Sequence, residues 1–299
     1  MGLFGRKKRQ DDGFINVVRA NDNGEEWAAR IINDSWNRNE PDLFERMAAA
    51  RIQIYRQAAE QGNLQAIYWM GESYQQLGYE RESLEWFQPL IDRDDGYTLN
   101  TISLGYTEYG GYRTDPEQSM YWLRRSAESG YPYSQVHLGL QYSIKGNNDQ
   151  ALMWYQRAAE QDYPEGCVSA ARILLDKASD INNDAHWAAR NNGSFELSEA
   201  GNNRIKKLCS LAESYLNKAL SLKYDDVCAV ELYSALGKLY ETFNPEPNKA
   251  AYYYYAAYDM SEFRMTCYLD YFNRIVEKNG LAVYPDDIPR WKEIVFPEN

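Results

Sequence analysis

Several residue types that carry common chemistries are scarce in this 299-residue chain. It has four cysteines, none in the C-x-x-C spacing of a zinc or redox site, and two histidines that form no metal-spaced cluster. No apolar run approaches the roughly 18 residues that a membrane-spanning helix needs. Cationic residues are outnumbered, with 32 Lys+Arg against 44 Asp+Glu. The net charge of −12 argues against nucleic-acid binding, because phosphate contacts need a cationic surface.

The cysteines and the first residues indicate a compartment. The cysteines lie far apart, at Cys167, Cys209, Cys228 and Cys267. We expect them to be buried, small apolar side chains in a reducing environment, because a chain of this length does not need disulfides. The basic run Arg6–Arg9 is followed by no long apolar stretch, so it does not read as a secretory signal. These features predict a cytoplasmic protein.

Aromatic residues, in contrast, are abundant. They make up 14% of the chain, with 26 tyrosines and 8 tryptophans, whereas only 10 prolines are present. Several prolines fall at segment junctions, as Pro116 and Pro164 do. The combination predicts many helices whose faces carry amphipathic aromatic side chains.

A glycine recurs at a fixed interval. Gly71, Gly105 and Gly139 are each 34 residues apart. Each follows a large apolar residue, and a tyrosine stands three residues after Gly71 and after Gly139. Glycine costs about 1 kcal/mol relative to alanine in a helix interior, so its recurrence indicates close approach of a partner helix.

A second block follows each glycine. It contains Trp86, Trp122 and Trp154, spaced by 36 and 32 residues. After the second and third tryptophans come a small-residue pair and then Gly130 or Asp162, residue types that end helices. A period of 33 to 36 residues with two apolar blocks predicts one antiparallel helix pair per repeat, about five pairs in all.

These two blocks resemble the Sel-one-like repeat of the tetratricopeptide superfamily, with its L-G-x-x-Y and A-x-x-W-x-x-x-A-A-x-x-G patterns. The resemblance covers about residues 25–260. Glu108 departs from it by replacing a tyrosine, and Pro89-Leu90 replaces an alanine pair. The resemblance implies an all-α, right-handed α-solenoid of antiparallel helix pairs that binds proteins and has no catalytic role.

The segments outside the clearest repeats set the predicted domain organisation. Residues 1–22 are expected to form a disordered basic tail, with contact to anionic lipid as the alternative. Residues 23–278 form the predicted solenoid, interrupted at 177–203 by an Asn-rich insertion with a short helix. This insertion either extends the binding surface or is a variable loop. Residues 279–299 are expected to cap the last repeat, or to fold back into the groove.

The resemblance also selects a candidate binding surface. In helix-pair solenoids the first helices line the concave face, and positions one and four after the repeat glycine, together with the position three before it, point into it. The selected residues are Tyr68, Glu72, Gln75, Tyr106, Tyr109, Leu140, Ser143, Lys238 and Glu241. Tyrosine offers a large contact area at low entropy cost, which suits recognition.

No catalytic or phosphate-binding motif is present, and adjacent carboxylates on a helix do not face one another as an acid/base pair would. We therefore expect no enzyme activity, no cofactor and no metal. The predicted function is a non-catalytic scaffold that binds a protein or peptide on its concave face. The acidic surface favours a partner with a basic patch. No nucleic-acid partner and no membrane contact are expected.

Three alternatives remain open from the sequence. One is an immunity-type protein that neutralises a bacterial toxin. Another is an enzyme whose site is assembled across repeats, for which converging carboxylates or His186 would be needed. The third is a lipid-associated scaffold that depends on Arg6–Arg9.

Overall fold

The computed structural model describes residues 4–37, 42–192, 198–261 and 265–281, with side chains from residue 13 onward except those of 36–37 and 185–192. Its contacts separate into two compact units, Met1–Ser134 (unit 1) and Gln135–Asn299 (unit 2). Every regular element of the described chain is a helix. The helices that begin and end in unit 1 are α1 (Phe4–Asp22), α2 (Glu26–Asn37), α3 (Leu43–Glu60), α4 (Leu64–Gln76), α5 (Glu80–Ile91), α6 (Gly96–Gly105) and α7 (Pro116–Glu128).

The later helices follow the same pattern of consecutive pairs. They are α8 (Pro132–Ile144), α9 (Asn148–Glu160), α10 (Pro164–Asn192), α11 (Glu199–Leu220), α12 (Asp226–Lys238), α13 (Pro247–Met260) and α14 (Thr266–Asn279). A π-helical turn at Leu239–Phe243 extends α12. The chain is an all-α repeat solenoid, as predicted, and α4/α5 to α12/α13 are its five expected pairs. Among the described helices, none is long and apolar enough to cross a membrane.

The repeat glycines make room for aromatic rings, which confirms the close approach predicted from their recurrence. A Cβ on Gly71 would lie 2.5 Å from the ring of Phe87. A Cβ on Gly139 would lie 2.7 Å from the ring of Tyr155. In both pairs the ring belongs to the residue directly after the repeat tryptophan. In these two pairs, a ring of the second helix packs on a bare patch of the first.

In the second repeat, the ring that packs on the glycine comes from a different position in the chain. Its residue after Trp122 is Leu123, and the ring that contacts Gly105 comes from Tyr112 in the segment between α6 and α7. A Cβ on Gly105 would lie 2.5 Å from that ring. The shorter α6 ends at Gly105, so the segment after it is free to supply the ring.

Helix ends follow the chemistry of the repeat. Side-chain oxygens of Asn63 and Asp95 accept backbone N–H bonds of 2.9 Å at the starts of α4 and α6. Such caps satisfy N–H groups that have no partner within the helix. Gly130 and Asp162 follow α7 and α9 with φ of 102° and 58°, a left-handed conformation that ends a helix. The predicted end signals are confirmed at both positions.

The N-terminal segment differs from the disordered tail expected for residues 1–22. Residues 4–22 form α1, and Val18 on α1 is completely buried against Leu43 and Met47 of α3. The polar composition obscured a short apolar stripe, since Phe14 and Ile15 stand beside Val18 on the same helical face. Docking on α3 supplies the stabilisation that such a helix lacks alone.

The Asn-rich segment also differs from a looped insertion with a short helix. Residues 177–192 continue α10 without a break, and 199–203 begin α11. Ser198 caps α11 by accepting the Gly201 N–H at 3.1 Å. The segment therefore lengthens one helix pair, with 193–197 outside the described residues. Of the cap predicted at residues 279–299, the part beyond residue 281 also lies outside the described residues.

The cysteines are free thiols, and three of them, Cys167, Cys209 and Cys228, are buried. Burial raises the pKa of Cys209 to about 11 and the pKa of Cys228 to about 12. Cys267 is exposed. The buried thiols belong to one apolar cluster of unit 2.

We expect one thiol, that of Cys267, to react rapidly with a disulfide reagent at pH 8, and the other three to react only on unfolding. Folded-state stability should also fall as pH rises above about 8.5, because the unfolded chain then loses thiol protons that the folded chain keeps until about pH 11 to 12. Thiol titration and urea unfolding between pH 7.5 and 10.5 measure both effects. In the Cys267→Ser variant the rapid phase should vanish; four equal rates would contradict the assignment.

Candidate functional site

A groove of about 750 Å³ opens on unit 1. Helices α3, α4 and α6, the segment after α6, and the first residues of α8 with the turn before it surround it. We call it the unit-1 groove. Its lining residues are Phe44, Tyr68, Glu72, Gln75, Gln76, Tyr97, Asn100, Thr101, Leu104, Thr107, Tyr109, Gly110, Gly111, Tyr131 and Tyr133.

Four of the predicted binding residues meet in this groove. Tyr68, Glu72 and Gln75 lie on successive turns of α4, and Tyr109 lies in the segment after α6. Tyr109 is 92% exposed, the largest exposure among the large apolar residues of the described chain. The α4 residues share a face because they are three or four positions apart.

Tyr106 does not line the groove, contrary to the prediction. It is buried, its ring centroid lies 4.9 Å from that of Tyr112, and its hydroxyl donates to Glu80 at 2.8 Å. The prediction assumed that the helix continues beyond the repeat glycine, whereas α6 ends at Gly105. Tyr106 is instead a packing residue between α6 and α5.

The other predicted residues lie in unit 2, at two places. Leu140 and Ser143 line a smaller groove of about 300 Å³, which Asp176 also lines. Lys238 Nζ lies 2.8 Å from Asp176 Oδ1. Glu241, in contrast, accepts hydrogen bonds from Tyr254 at 2.9 Å and from Arg274 at 2.6 Å. The side chain of Glu241 thus joins the π-helical turn to α13 and α14.

A buried ionic cluster supports the base of the unit-1 groove. Arg51 of α3 donates to Asp22 of α1 at 2.7 Å and to Glu72 of α4 at 3.0 Å. Tyr55 adds a hydrogen bond to Asp22 at 3.1 Å. The guanidinium carbon of Arg51 lies 4.1 Å from the ring centroid of Trp69. The cluster fixes three helices and orients Glu72 towards the groove.

Burial controls the electrostatics of this cluster. The side chains of Asp22, Arg51 and Glu72 are 1%, 8% and 20% exposed. Burial raises the pKa of Glu72, although the Arg51 charge and the Tyr68 hydrogen bond act to lower it. Burial acts to lower the pKa of Arg51, but the hydrogen bond to Asp22 and the charge of Glu72 outweigh it, so the pKa is raised. Two carboxylates share one guanidinium here.

Amide groups form the polar floor of the groove. Gln75 Nε2 donates to the Thr101 carbonyl at 3.0 Å. Gln75 Oε1 and Gln76 Oε1 are both buried, and neither receives a hydrogen bond from the described residues. Two acceptors at the floor are therefore unsatisfied, a state that folded proteins rarely tolerate without a functional or structural reason.

Tyrosine rings form one wall of the groove. The ring centroids of Tyr68 and Tyr97 are 5.1 Å apart, those of Tyr97 and Tyr131 5.9 Å, and those of Tyr131 and Tyr133 6.1 Å. The sequence prediction missed the last three rings. A signal was present, since the dipeptides Gly96-Tyr97 and Gly130-Tyr131 recur at the same 34-residue interval as the repeat glycines.

The lining of the groove is largely aromatic and amide in character. Its charged lining residue is Glu72, and tyrosines and amides make up most of the remainder. No group of three or more histidine, cysteine or acidic side chains could hold a metal ion within the described residues. Burial lowers the pKa of His137. His186 is among the residues whose side chains the structure does not describe.

Three solved structures align with most of this chain. The Sel1 repeat protein from Oxalobacter formigenes is 18% identical, with a TM-score of 0.47 over 89% of this chain and 97% of that one. A protective antigen of uropathogenic Escherichia coli with an SLR fold is 16% identical, with a TM-score of 0.33 over 95% and 75%. The C-terminal part of a TPR repeat-containing protein from Cytophaga hutchinsonii is 15% identical, with a TM-score of 0.39 over 88% and 98%.

A search of curated protein sequences finds no match. The Sel1 repeat model, in contrast, matches residues 52–63, 103–131, 132–163 and 244–262. These matches include the repeat tryptophans Trp122 and Trp154 and the glycines Gly105 and Gly139, which the structure places in equivalent helix pairs. This chain therefore carries Sel1 repeats at these residues.

Proposed function

We propose that this protein is a non-catalytic scaffold whose unit-1 groove binds a segment of a partner protein. Proteins built from Sel1 repeats generally mediate protein–protein interactions, and the repeats are typically non-catalytic. The observation that carries the proposal is the exposed aromatic surface of the groove. Tyr97 and Phe44 are half exposed there, and Tyr109 is almost fully exposed.

The groove has the composition of a recognition surface. Tyrosine combines a large apolar ring with a hydroxyl and has few rotatable bonds, so little side-chain entropy is lost on binding. Exposed apolar residues that cluster in one concave place mark interaction sites more often than scattered ones do. Leu104, 46% exposed, extends the same surface beside the tyrosines.

The rest of the proposal follows the sequence prediction. With a net charge of −12, the protein favours a partner with a basic patch through steering and complementarity. We place the protein in the cytoplasm, since its thiols are free and three of them are buried. The second groove, with Leu140 and Ser143, is proposed as a further contact for the partner.

The test compares two double variants in a quantitative pull-down. Tyr97→Ala/Tyr109→Ala removes exposed groove rings, and each lost hot-spot ring typically weakens binding by about tenfold or more. Tyr79→Ala/Tyr121→Ala removes two tyrosines that are 54% and 56% exposed outside the groove. We expect the first variant to lose partners that the wild type and the second variant retain.

Circular dichroism and thermal melting ensure that both variants are folded before capture is compared. Equal capture of every partner by the wild type and the Tyr97→Ala/Tyr109→Ala variant would reject the groove as the binding site. Tyr106 is left unchanged in this test, because its hydroxyl donates to Glu80 and the residue is buried.

A further inference from the structure

The polar groups of the unit-1 groove are unequally divided between donors and acceptors. Glu72 is the charged residue of the lining, and no lysine, arginine or histidine is among the lining residues. The two unsatisfied atoms at the floor, Gln75 Oε1 and Gln76 Oε1, are both acceptors. The groove therefore favours a ligand that brings hydrogen-bond donors and positive charge.

The orientation of the Gln75 amide is fixed by its partner. Its Nε2 donates to the Thr101 carbonyl, so exchanging the two amide atoms would place two acceptors against each other. Gln75 is 94% buried, being 6% exposed, and it lines the groove. Gln76 is the last residue of α4 and is partly exposed, so its side chain can turn to meet a ligand.

Acidic groups outnumber the guanidinium in the hydrogen-bonded cluster beneath the groove. Asp22 and Glu72 are two carboxylates that contact one guanidinium, that of Arg51. Glu72, the more exposed of the two carboxylates, is the one that lines the groove. A cation entering the groove would meet this carboxylate in a partly buried place where screening by salt is weak.

The tyrosine wall suits a planar cation. Guanidinium groups stack on aromatic rings and present five N–H donors in a fixed plane, whereas an ammonium group is compact and strongly hydrated. The same chemistry occurs beside the groove, where Arg51 stacks on Trp69 while donating to two carboxylates. Tyr97 is half exposed, and its ring lies next to those of Tyr68 and Tyr131.

Resting on the function proposed above, we propose that the unit-1 groove binds an arginine side chain of the partner. Its guanidinium group stacks on the tyrosine wall at Tyr97, lies near the Glu72 carboxylate and donates to the Gln76 amide oxygen. The partner is thus a protein with an accessible arginine-containing segment, and an anionic or phosphorylated segment is disfavoured by Glu72.

The probe is a fluorescein-labelled heptapeptide, Gly-Arg-Gly-Arg-Gly-Arg-Gly, measured by fluorescence anisotropy at 150 mM NaCl. Lysine and citrulline versions of the same peptide are the comparison ligands. Lysine keeps the charge without the planar donors, and citrulline keeps the planar shape without the charge. We expect the arginine peptide to bind the wild type about five- to tenfold more tightly than either.

Matched variants locate the binding. Glu72→Gln changes the net charge by one and leaves Arg51 paired with Asp22, so the fold should be retained. Glu85→Gln makes the same change in net charge on an exposed carboxylate of α5 outside the groove. Glu72→Gln and Tyr97→Ala should each lower the affinity for the arginine peptide about five- to tenfold. Glu85→Gln and Tyr97→Phe should leave this affinity unchanged.

The outcomes separate this inference from the function on which it rests. Equal affinity for the three peptides, no binding of the arginine peptide, or equal loss in Glu72→Gln and Glu85→Gln would each overturn the arginine site. If the Tyr97→Ala/Tyr109→Ala variant still loses its partners in the pull-down in that case, the scaffold function stands and only the arginine inference falls. Displacement of a captured partner by the arginine peptide would support both.

Discussion

Replacing Arg51 with methionine is expected to lower the free energy of unfolding by about 3–5 kcal/mol. The change removes the guanidinium and leaves Asp22, whose side chain is 1% exposed, as a buried and uncompensated carboxylate. It also removes the partner of Glu72 at the base of the groove. Urea unfolding followed by circular dichroism measures the loss.

Two further variants separate the ionic cluster from a general effect of losing an arginine. Arg81→Met breaks an exposed pair with Glu85 and should leave the urea midpoint unchanged. Arg51→Met/Asp22→Leu should recover part of the stability, because no charge is then buried without a partner at the α1–α3 contact. A midpoint for Arg51→Met equal to that of Arg81→Met would show that the cluster contributes nothing.

Gly71→Ala is expected to destabilise the protein by about 1–3 kcal/mol, although alanine is the better helix former. The added Cβ would lie 2.5 Å from the Phe87 ring, and that ring is completely buried and cannot move aside freely. Overpacking in the core therefore outweighs the gain in helix propensity. Gly139→Ala should behave in the same way against Tyr155.

The matched control is Gly13→Ala in α1, where a Cβ would meet nothing within 4 Å. This change should raise stability by up to about 1 kcal/mol, so two identical substitutions in helices are expected to have opposite signs. Gly71→Ala/Phe87→Leu should regain part of the loss by making room for the new methyl group. Stabilisation by Gly71→Ala alone would refute the glycine–ring account of the repeats.

Repeat periodicity made the helix pairs predictable. A glycine that returns every 34 residues specifies the place where a ring will pack, so Gly71, Gly105 and Gly139 were identified without coordinates. The identity of each ring was not predictable. Tyr112 replaces Leu123 at the second glycine because α6 ends early, and helix length depends on packing that the repeat pattern does not encode.

The candidate site was predictable to a smaller extent. The family resemblance selects Tyr68, Glu72 and Gln75 by their positions relative to Gly71, and the structure brings them together. The same rule failed for Tyr106, which follows the end of its helix. Arg51 and Asp22 were missed because they belong to α3 and α1, helices whose contacts with α4 depend on tertiary docking and have no signature in the local sequence.

The shared guanidinium makes the N-terminal helix part of the site's surroundings. If residues 1–22 were cleaved off, Arg51 would lose Asp22 and keep a single carboxylate partner, Glu72. Removing this helix would therefore change the surroundings of Glu72 without altering any lining residue. When recognition is studied, fusion tags should accordingly be attached at the C-terminus, and shortened forms of the protein should keep α1.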